Sequence, residues 1–227
     1  MKKNLPLKIL AGVCCLLAIA GCAASETKSA HVRIVNASPD APPLDVFFDG
    51  ELLEENLGYS EASKYQEIDV GRKDISVSPT LSKDSIIDIS AEFEEGKDYT
   101  LVVSDVLSKI QMIVYLDDNT TPDLGDVKIR VINAAPSAPK VDIYLTRRGE
   151  DISDKDPSES NLSFTRKSRY FDKGESEYQI RATTAGTKTV IVDTGGFDLI
   201  SGDIRTVLLL DVDGGGKPIL SSILKDK

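Results

Sequence analysis

Carboxylates are the one abundant reactive group in this chain of 227 residues, which holds 37 aspartates and glutamates against one histidine and three cysteines. A glycoside hydrolase needs two such groups facing each other across a bond, and nothing in the sequence pairs them. His31, the one histidine, sits at the edge of the tether, and the sequence implies no partner that would make it the base of a nucleophilic triad. One histidine cannot complete a tetrahedral zinc site without unusual carboxylate ligands. Gly214-Gly215-Gly216-Lys217 lacks the spacing and the following Ser or Thr of a phosphate-binding loop, and reads as a hairpin turn. Asp211 and Asp213 before Gly214 look like the start of an EF-hand loop, but Ser222 stands where the bidentate glutamate belongs. The remaining metal candidate is calcium, a hard cation suited to the oxygens of Asp117, Asp118, Asn119, Asp123 and Asp126. The expectation is a protein with no catalytic residue and no resident cofactor, calcium being the alternative to a plain acidic linker.

The first residues carry an export signal rather than chemistry. Lys2, Lys3 and Lys8 flank an apolar run, Ile9 to Ala20, of twelve residues, too short for a spanning helix of roughly 20. Ile19-Ala20-Gly21-Cys22 resembles the bacterial lipobox, in which the peptidase cuts before a cysteine bearing diacylglycerol. Residues 1–21 are then the signal, Cys22 is the acylated attachment to the membrane, and residues 22–29 are a polar tether. By analogy with lipoprotein sorting, Ala23 points to the outer membrane. Cleavage removes Cys14 and Cys15, so the mature chain keeps no free thiol and no disulfide. It also leaves 24 basic residues against 37 acidic, a net charge of about −13. Such a surface repels phosphate backbones and anionic lipid, so nucleic acid is not an expected partner.

What would position any binding residues is a repeated set of short strands. From His31 onward, alternating apolar runs are broken by turn residues about every ten positions, the pattern of an antiparallel sandwich. Leu44, Val46 and Phe48 share one face of a strand, and Asp45 and Phe47 take the other. Seven strands are expected between Val32 and Leu116; Glu51 to Leu57 could be a helical turn or an edge segment. The window Val32 to Asp45 returns at a constant offset of 97 with seven of fourteen residues identical, among them Arg33/Arg130, Asn36/Asn133 and Asp45/Asp142. Further matches, Ser63/Ser168 and Tyr65/Tyr170 at 105 and Thr100/Thr206 at 106, extend the repeat. The reading is all-β: a first sandwich over 30–116, a linker over 117–126 and a second sandwich over 127–227, two beads each with its own core.

Candidate binding residues lie in the loops. The shift in offset from 97 to 105 marks an eight-residue insertion between Thr146 and Asn161, bringing in Arg147 and Arg148 at its start. A long charged loop on a rigid sheet is either a specificity loop or a tolerated insertion. Asn36, Ser38 and Asp40, with Asn133 in the second copy, sit in proline-fixed loops. Asn and Asp in such loops bind a ligand or, more often, set loop shape by bonding backbone.

RIVNASPDAPPLDVFFDG, then LGYSEASKY and EEGKDYTLVV, resemble the bacterial and archaeal envelope domain of unknown function 4397. The second copy keeps RVINAAPSAPKVDIY, Ser168 and Tyr170 but has Ala135 and Ser137 in the loop and Arg205-Thr206 in place of Tyr99-Thr100. The resemblance implies a transthyretin-like or immunoglobulin-like sandwich and brings no established activity. The expected function is a non-enzymatic envelope lipoprotein that binds or adheres to a protein or glycan. The alternatives are a structural accessory subunit that anchors a larger envelope assembly and, weakest, a carboxylate-dependent envelope hydrolase.

Overall fold

Two kinds of strand pattern build this protein, and they end up in different layers. The computed structural model describes residues 28–138 and 140–226. The first half contributes β1 (Ser29–Ala37), β2 (Leu44–Phe48), β3 (Glu51–Leu57), β4 (Gln66–Asp69), β5 (Gly71–Pro79), β6 (Ile87–Phe93), β7 (Asp98–Ser104) and β8 (Gln111–Leu116). Strictly alternating strands such as β2, with Leu44, Val46 and Phe48 buried and Asp45 and Phe47 half-buried, form the sheet β3-β2-β5-β6. Near-continuous runs such as VRIVNA in β1 and YTLVV in β7, buried on almost every residue, form the centre of the sheet β4-β1-β7-β8. The two sheets close on one apolar cluster that includes Val32, Ile34, Val46, Ile75, Phe93 and Leu101. There the Phe93 ring meets Tyr99 edge-on at 5.0 Å.

The second half repeats this order with β9 (Asp126–Asn133), β10 (Lys140–Arg147), β11 (Glu159–Ser163), β12 (Arg166–Lys167), β13 (Phe171–Gly174), β14 (Ser176–Thr184), β15 (Val190–Leu199), β16 (Ile204–Leu210) and β17 (Leu220–Lys225). The sheet β11-β10-β14-β15 packs on β12-β9-β16-β17, with β13 also paired to β9, around Val127, Val131, Ile143, Ile180 and Leu209. The architecture is therefore all-β and sandwich-like, as the alternation predicts. Glu51–Leu57 resolves to a strand, so the first half has eight rather than seven.

The expected purely antiparallel pairing fails at one place in each half. β1 runs parallel to β7 and β9 parallel to β16. In the first half the chain leaves β1 for the opposite sheet and returns to start β7 at the same end. Central parallel strands are covered on both faces, and what covers the second face here is the other half of the molecule. Val35, Ala37, Val102 and Tyr115 pack on Ile132, Ala134, Leu208 and Leu210 in a third buried cluster. The layers thus stack four deep with the two parallel-centred sheets back to back. Each half has its own apolar cluster, and a third joins the two in a shared interior, because Val35, Val102, Ile132 and Leu208 on the back faces of β1, β7, β9 and β16 are apolar.

That interior holds two charges related by a local two-fold relationship. Arg33 and Arg130 are 2 % and 0 % exposed. Arg33 donates Nε to Thr100 at 3.0 Å, reaches Thr206 across the interface at 3.2 Å, and pairs with Asp226 at 2.7 Å. Arg130 donates Nε to Thr206 at 2.8 Å, reaches back to Thr100 at 3.2 Å, and pairs with Asp117 at 2.6 Å. Thr100 and Thr206 in turn donate to Asp117 and Asp226, each at 2.6 Å. Tyr65 and Tyr170 lay their rings over the two guanidinium groups at 4.9 and 5.0 Å. Burial pushes the Asp226 carboxyl above the ordinary range, against the pull of Arg33 and Arg130.

Four tyrosines seal this seam. Tyr65 donates to Asp117 at 2.6 Å, Tyr115 to Thr165 O at 2.9 Å and Tyr59 to Asp211 O. Burial pushes Tyr115 up to about 12 against Arg130 and Arg166. Burial, then the charges of Asp211 and Asp213, pushes Tyr59 to about 12. Burial also raises Tyr65 and Tyr170. Each phenol keeps its proton in the fold at a pH where the unfolded chain, with pKa near 10, loses it. The folded state then binds more protons, so stability is full below about pH 10 and falls as pH rises through the window above it. The urea midpoint is expected to drop steeply between about pH 10 and 12, with absorbance at 295 nm rising in the same transition. Ionisation of all seven tyrosines at an ordinary midpoint, with the fold intact, would contradict this.

Candidate functional site

Of the residues that the loops offered for binding, the buried ones hold the fold together, while Asp40 and Arg148 stay exposed. Asn36, fully buried, donates Nδ2 to Leu57 O at 3.1 Å and accepts Ser38 N at 3.1 Å. Asn133 donates to Ala138 O at 2.7 Å and Leu162 O at 3.1 Å, and accepts Ala135 N at 3.2 Å. The sequence reading sets both in loops, but Asn36 lies within β1 and Asn133 ends β9. From there each ties the loop that follows it to the opposite sheet, the backbone-bonding use of a local Asn. Ser38 is buried and donates to Asp105 O at 2.7 Å, and Asp40 accepts Leu107 N at 2.7 Å. Arg147 lies over the Tyr178 ring at 5.0 Å, and exposed Arg148 pairs with Glu177 at 2.9 Å. Cys22 lies outside the described residues.

The four carboxylates among the five calcium candidates do not converge, and the fifth, Asn119, donates Nδ2 to Asp98 at 2.8 Å. Asp117 is taken by Arg130, Thr100 and Tyr65, and Asp118 by Lys128 at 2.8 Å and Thr120. Asp123 is exposed, and its carbonyl accepts the amide of half-buried Asp126 in a turn. Among the described residues no three His, Cys, Asp or Glu side chains gather as a metal site.

A different surface separates the two halves. In the second half the Thr146–Asn161 insertion folds down over the outer face of β11-β10-β14-β15. Arg181, opposite Tyr144 on that face, donates to Thr146 at 2.9 Å and to Glu150 O. Lys188 donates to Ile152 O at 2.7 Å and to Lys155 O, with its Nζ 4.6 Å from the Tyr144 ring centre. Tyr144 and Ile152 are left 3 % and 5 % exposed. The insertion is thus a built cover, held by two cations that bind its backbone carbonyls.

In the first half only the Asp49-Gly50 turn stands at that place, and the face is open. Leu52, Phe47, Ser76 and Asp88 lie in one row across β3, β2, β5 and β6. Ser76 stands where the second half has Arg181. Beside this row runs a cleft of about 690 Å³ lined by Asp49, Asp74, Ser76, Asp88 and Ser90. The polar groups are fixed: Ser90 donates to Asp74 at 2.6 Å, Asp74 N to Asp49 at 2.9 Å, Lys73 to Asp49 at 2.9 Å, and Ser85 to Asp88. Lys73 and the Asp74 amide hold the Asp49 carboxyl below its usual range. The result is a half-buried aromatic, Phe47, and a half-exposed Leu52 beside preset acceptors. Such a face suits a ligand with an apolar side and several hydroxyl or ammonium donors.

The alternation in β2 sets Phe47 on the face opposite Leu44, Val46 and Phe48, but by itself does not mark this row. The signal was the outward alternation Asp74, Ser76, Ser78 in β5 and Asp88, Ser90 in β6, together with the lack of any insertion to cover them.

The family described as domain of unknown function (DUF4397) matches residues 30–144. No curated protein matches the chain. Among solved structures, an alpha-glucan-binding streptococcal virulence factor is similar at 13 % identity and a TM-score of 0.26, covering 84 % of this chain and 95 % of that one. The CBM26-family module of Eubacterium rectale Amy13K, in complex with maltoheptaose, has 8 % identity and a TM-score of 0.27, covering 88 % and 97 %. The Bacillus anthracis TIE protein has 10 % identity and a TM-score of 0.27, covering 81 % and 34 %.

Proposed function

The chain belongs to the DUF4397 family, and from that premise we propose that it carries two copies of this domain and works as a non-enzymatic binding module of the bacterial envelope. In this reading acylated Cys22 ties it to the outer membrane, and the open face of β3-β2-β5-β6 takes a protein or glycan partner. The observation that carries the reading is the asymmetry of the outer faces. One is closed by its own insertion, and its counterpart is left bare with an aromatic, a leucine and fixed carboxylates.

The test is binding of the soluble Cys22→Ala form to glycan arrays and to whole cells. Phe47→Ala is expected to weaken saturable binding by about 2 kcal/mol, roughly thirty-fold, as loss of a central apolar anchor does, with thermal stability little changed. Equal binding by parent and Phe47→Ala removes the face from consideration. No saturable binding, with one envelope protein co-purifying in fixed stoichiometry regardless of Phe47, selects the accessory-subunit reading instead. Protease shaving of intact cells, with and without Cys22→Ala, tests the anchor and the exposed side separately.

A further inference from the structure

We propose that the pole at which β1 and β9 begin rests against a lipid bilayer through Leu124 and Ile200. The two halves are aligned with both starting ends at one pole. Near it, Arg33 of β1 meets Asp226 at the end of β17, and Arg130 of β9 meets Asp117 at the end of β8. At the opposite pole Tyr59 bonds Asp211 O, and Pro39 O accepts Gly214 N at 2.7 Å. The described chain enters at the first pole, at Lys28, six residues after Cys22. Six extended residues reach roughly 20 Å. An acyl group on Cys22 would therefore hold this pole, and no other, close to the membrane surface; the proposal rests on that reading of Cys22.

Leu124 and Ile200 are 98 % and 68 % exposed at this pole. A single exposed apolar side chain means little, but these two project from turns that are joined to each other. Asp123 O accepts Asp126 N at 2.9 Å, with Gly125 at φ +88°. Ile200 O accepts Asp203 N at 2.9 Å, with Gly202 at φ +89°. Gly125 N donates to Ser201 Oγ at 2.8 Å, Gly202 N to Asp126 O at 2.9 Å, and Ser201 N to Glu175 at 3.0 Å. In the first half the matching turn, Glu94 to Lys97, has Glu94 where Ile200 stands, and Glu95 pairs with Lys28 at 2.8 Å. Ile200 thus replaces a charge at a place where the fold does not need an apolar side chain. Asp118, Asp123 and Glu175 around the pole make a bilayer of zwitterionic lipid, rather than an anionic one, the fitting surface.

The chain has no tryptophan, so Leu124→Trp, Ile200→Trp and, as control, Leu81→Trp each give a single reporter. Leu81 is 95 % exposed and follows β5 at the opposite pole. The unlipidated mature chain, whose one cysteine is Cys22, is coupled through it to a maleimide phospholipid in phosphatidylcholine and phosphatidylethanolamine vesicles carrying acyl-brominated lipid. At positions 124 and 200 the emission is expected to shift to the blue and to be quenched at least two-fold, with position 81 unaffected. Emission at 124 and 200 as wet as at 81, or equal quenching at all three, overturns the proposal. Because the coupling is chemical, this result does not depend on acylation in the cell. A wild-type protein found free of the membrane fraction would sink the anchor reading on its own.

Discussion

Arg130→Ala is expected to lose about 3–5 kcal/mol of stability in urea unfolding, the cost typical of breaking a buried ion pair from one side. The magnitude follows from what remains. Asp117 would stay fully enclosed with Tyr65 and Thr100 as donors but no cation. Thr206 would lose one of its partners, and Tyr170 the guanidinium it covers. Arg130→Met together with Asp117→Leu should recover about half of the loss, since an apolar pair of similar volume is often no worse than the ion pair it replaces. Because the same side chains touch both halves, the single change should also split one unfolding transition into two, read by calorimetry. A loss under about 1 kcal/mol, with one transition kept, would mean that the seam is held by its apolar residues alone.

Asn133→Ala is expected to cost about 2–4 kcal/mol, and Asn36→Ala about 1 kcal/mol less. Removing the Asn133 amide leaves Ala138 O, Leu162 O and Ala135 N without it in a buried site; Asn36 serves only Leu57 O and Ser38 N. Each orphaned buried group costs roughly 1–3 kcal/mol unless water reaches it. Neither change should alter ligand binding by the open face of the first half. An Asn133→Ala protein that is as stable as the parent but no longer binds would return these residues to the site.

The outer sheet of the first half was legible from the sequence because β2, β5 and β6 see core on one side and an open face on the other, which writes a period of two into residues such as Leu44 to Phe48. Glu51 to Leu57 was ambiguous for the opposite reason. ELLEENL is charged on an exposed edge and carries no alternation, so only pairing with β2 makes it a strand. Parallel pairing of β1 with β7 left no local mark, as a strand's own residues do not record the direction of a neighbour 67 positions away. The back-to-back packing did leave one: an arginine inside each of two matching apolar runs, Arg33 and Arg130, with a threonine at each of the matching positions 100 and 206. A charge repeated in an apolar strand has to meet its partner somewhere, and the partners, Asp117 in the linker and Asp226 at the end of the second sandwich, carry no local mark of that role. The open face was half legible. Phe47 was placed outward, but its availability depends on an insertion present in only one half.

One bond reaches across nearly the whole chain. Arg33 Nη1 donates to Lys225 O at 3.4 Å, a separation of 192 residues, beside its ion pair with Asp226. β1 cannot complete its surroundings until Asp226 is in place, and closing so large a loop costs chain entropy before this ion pair rewards it. A chain folding start-first would spend that interval with β1 already flanked by β4 and β7 but with Arg33 on its back face lacking Asp226. Slow maturation is the kinetic consequence of burying an arginine this early against a carboxylate this late.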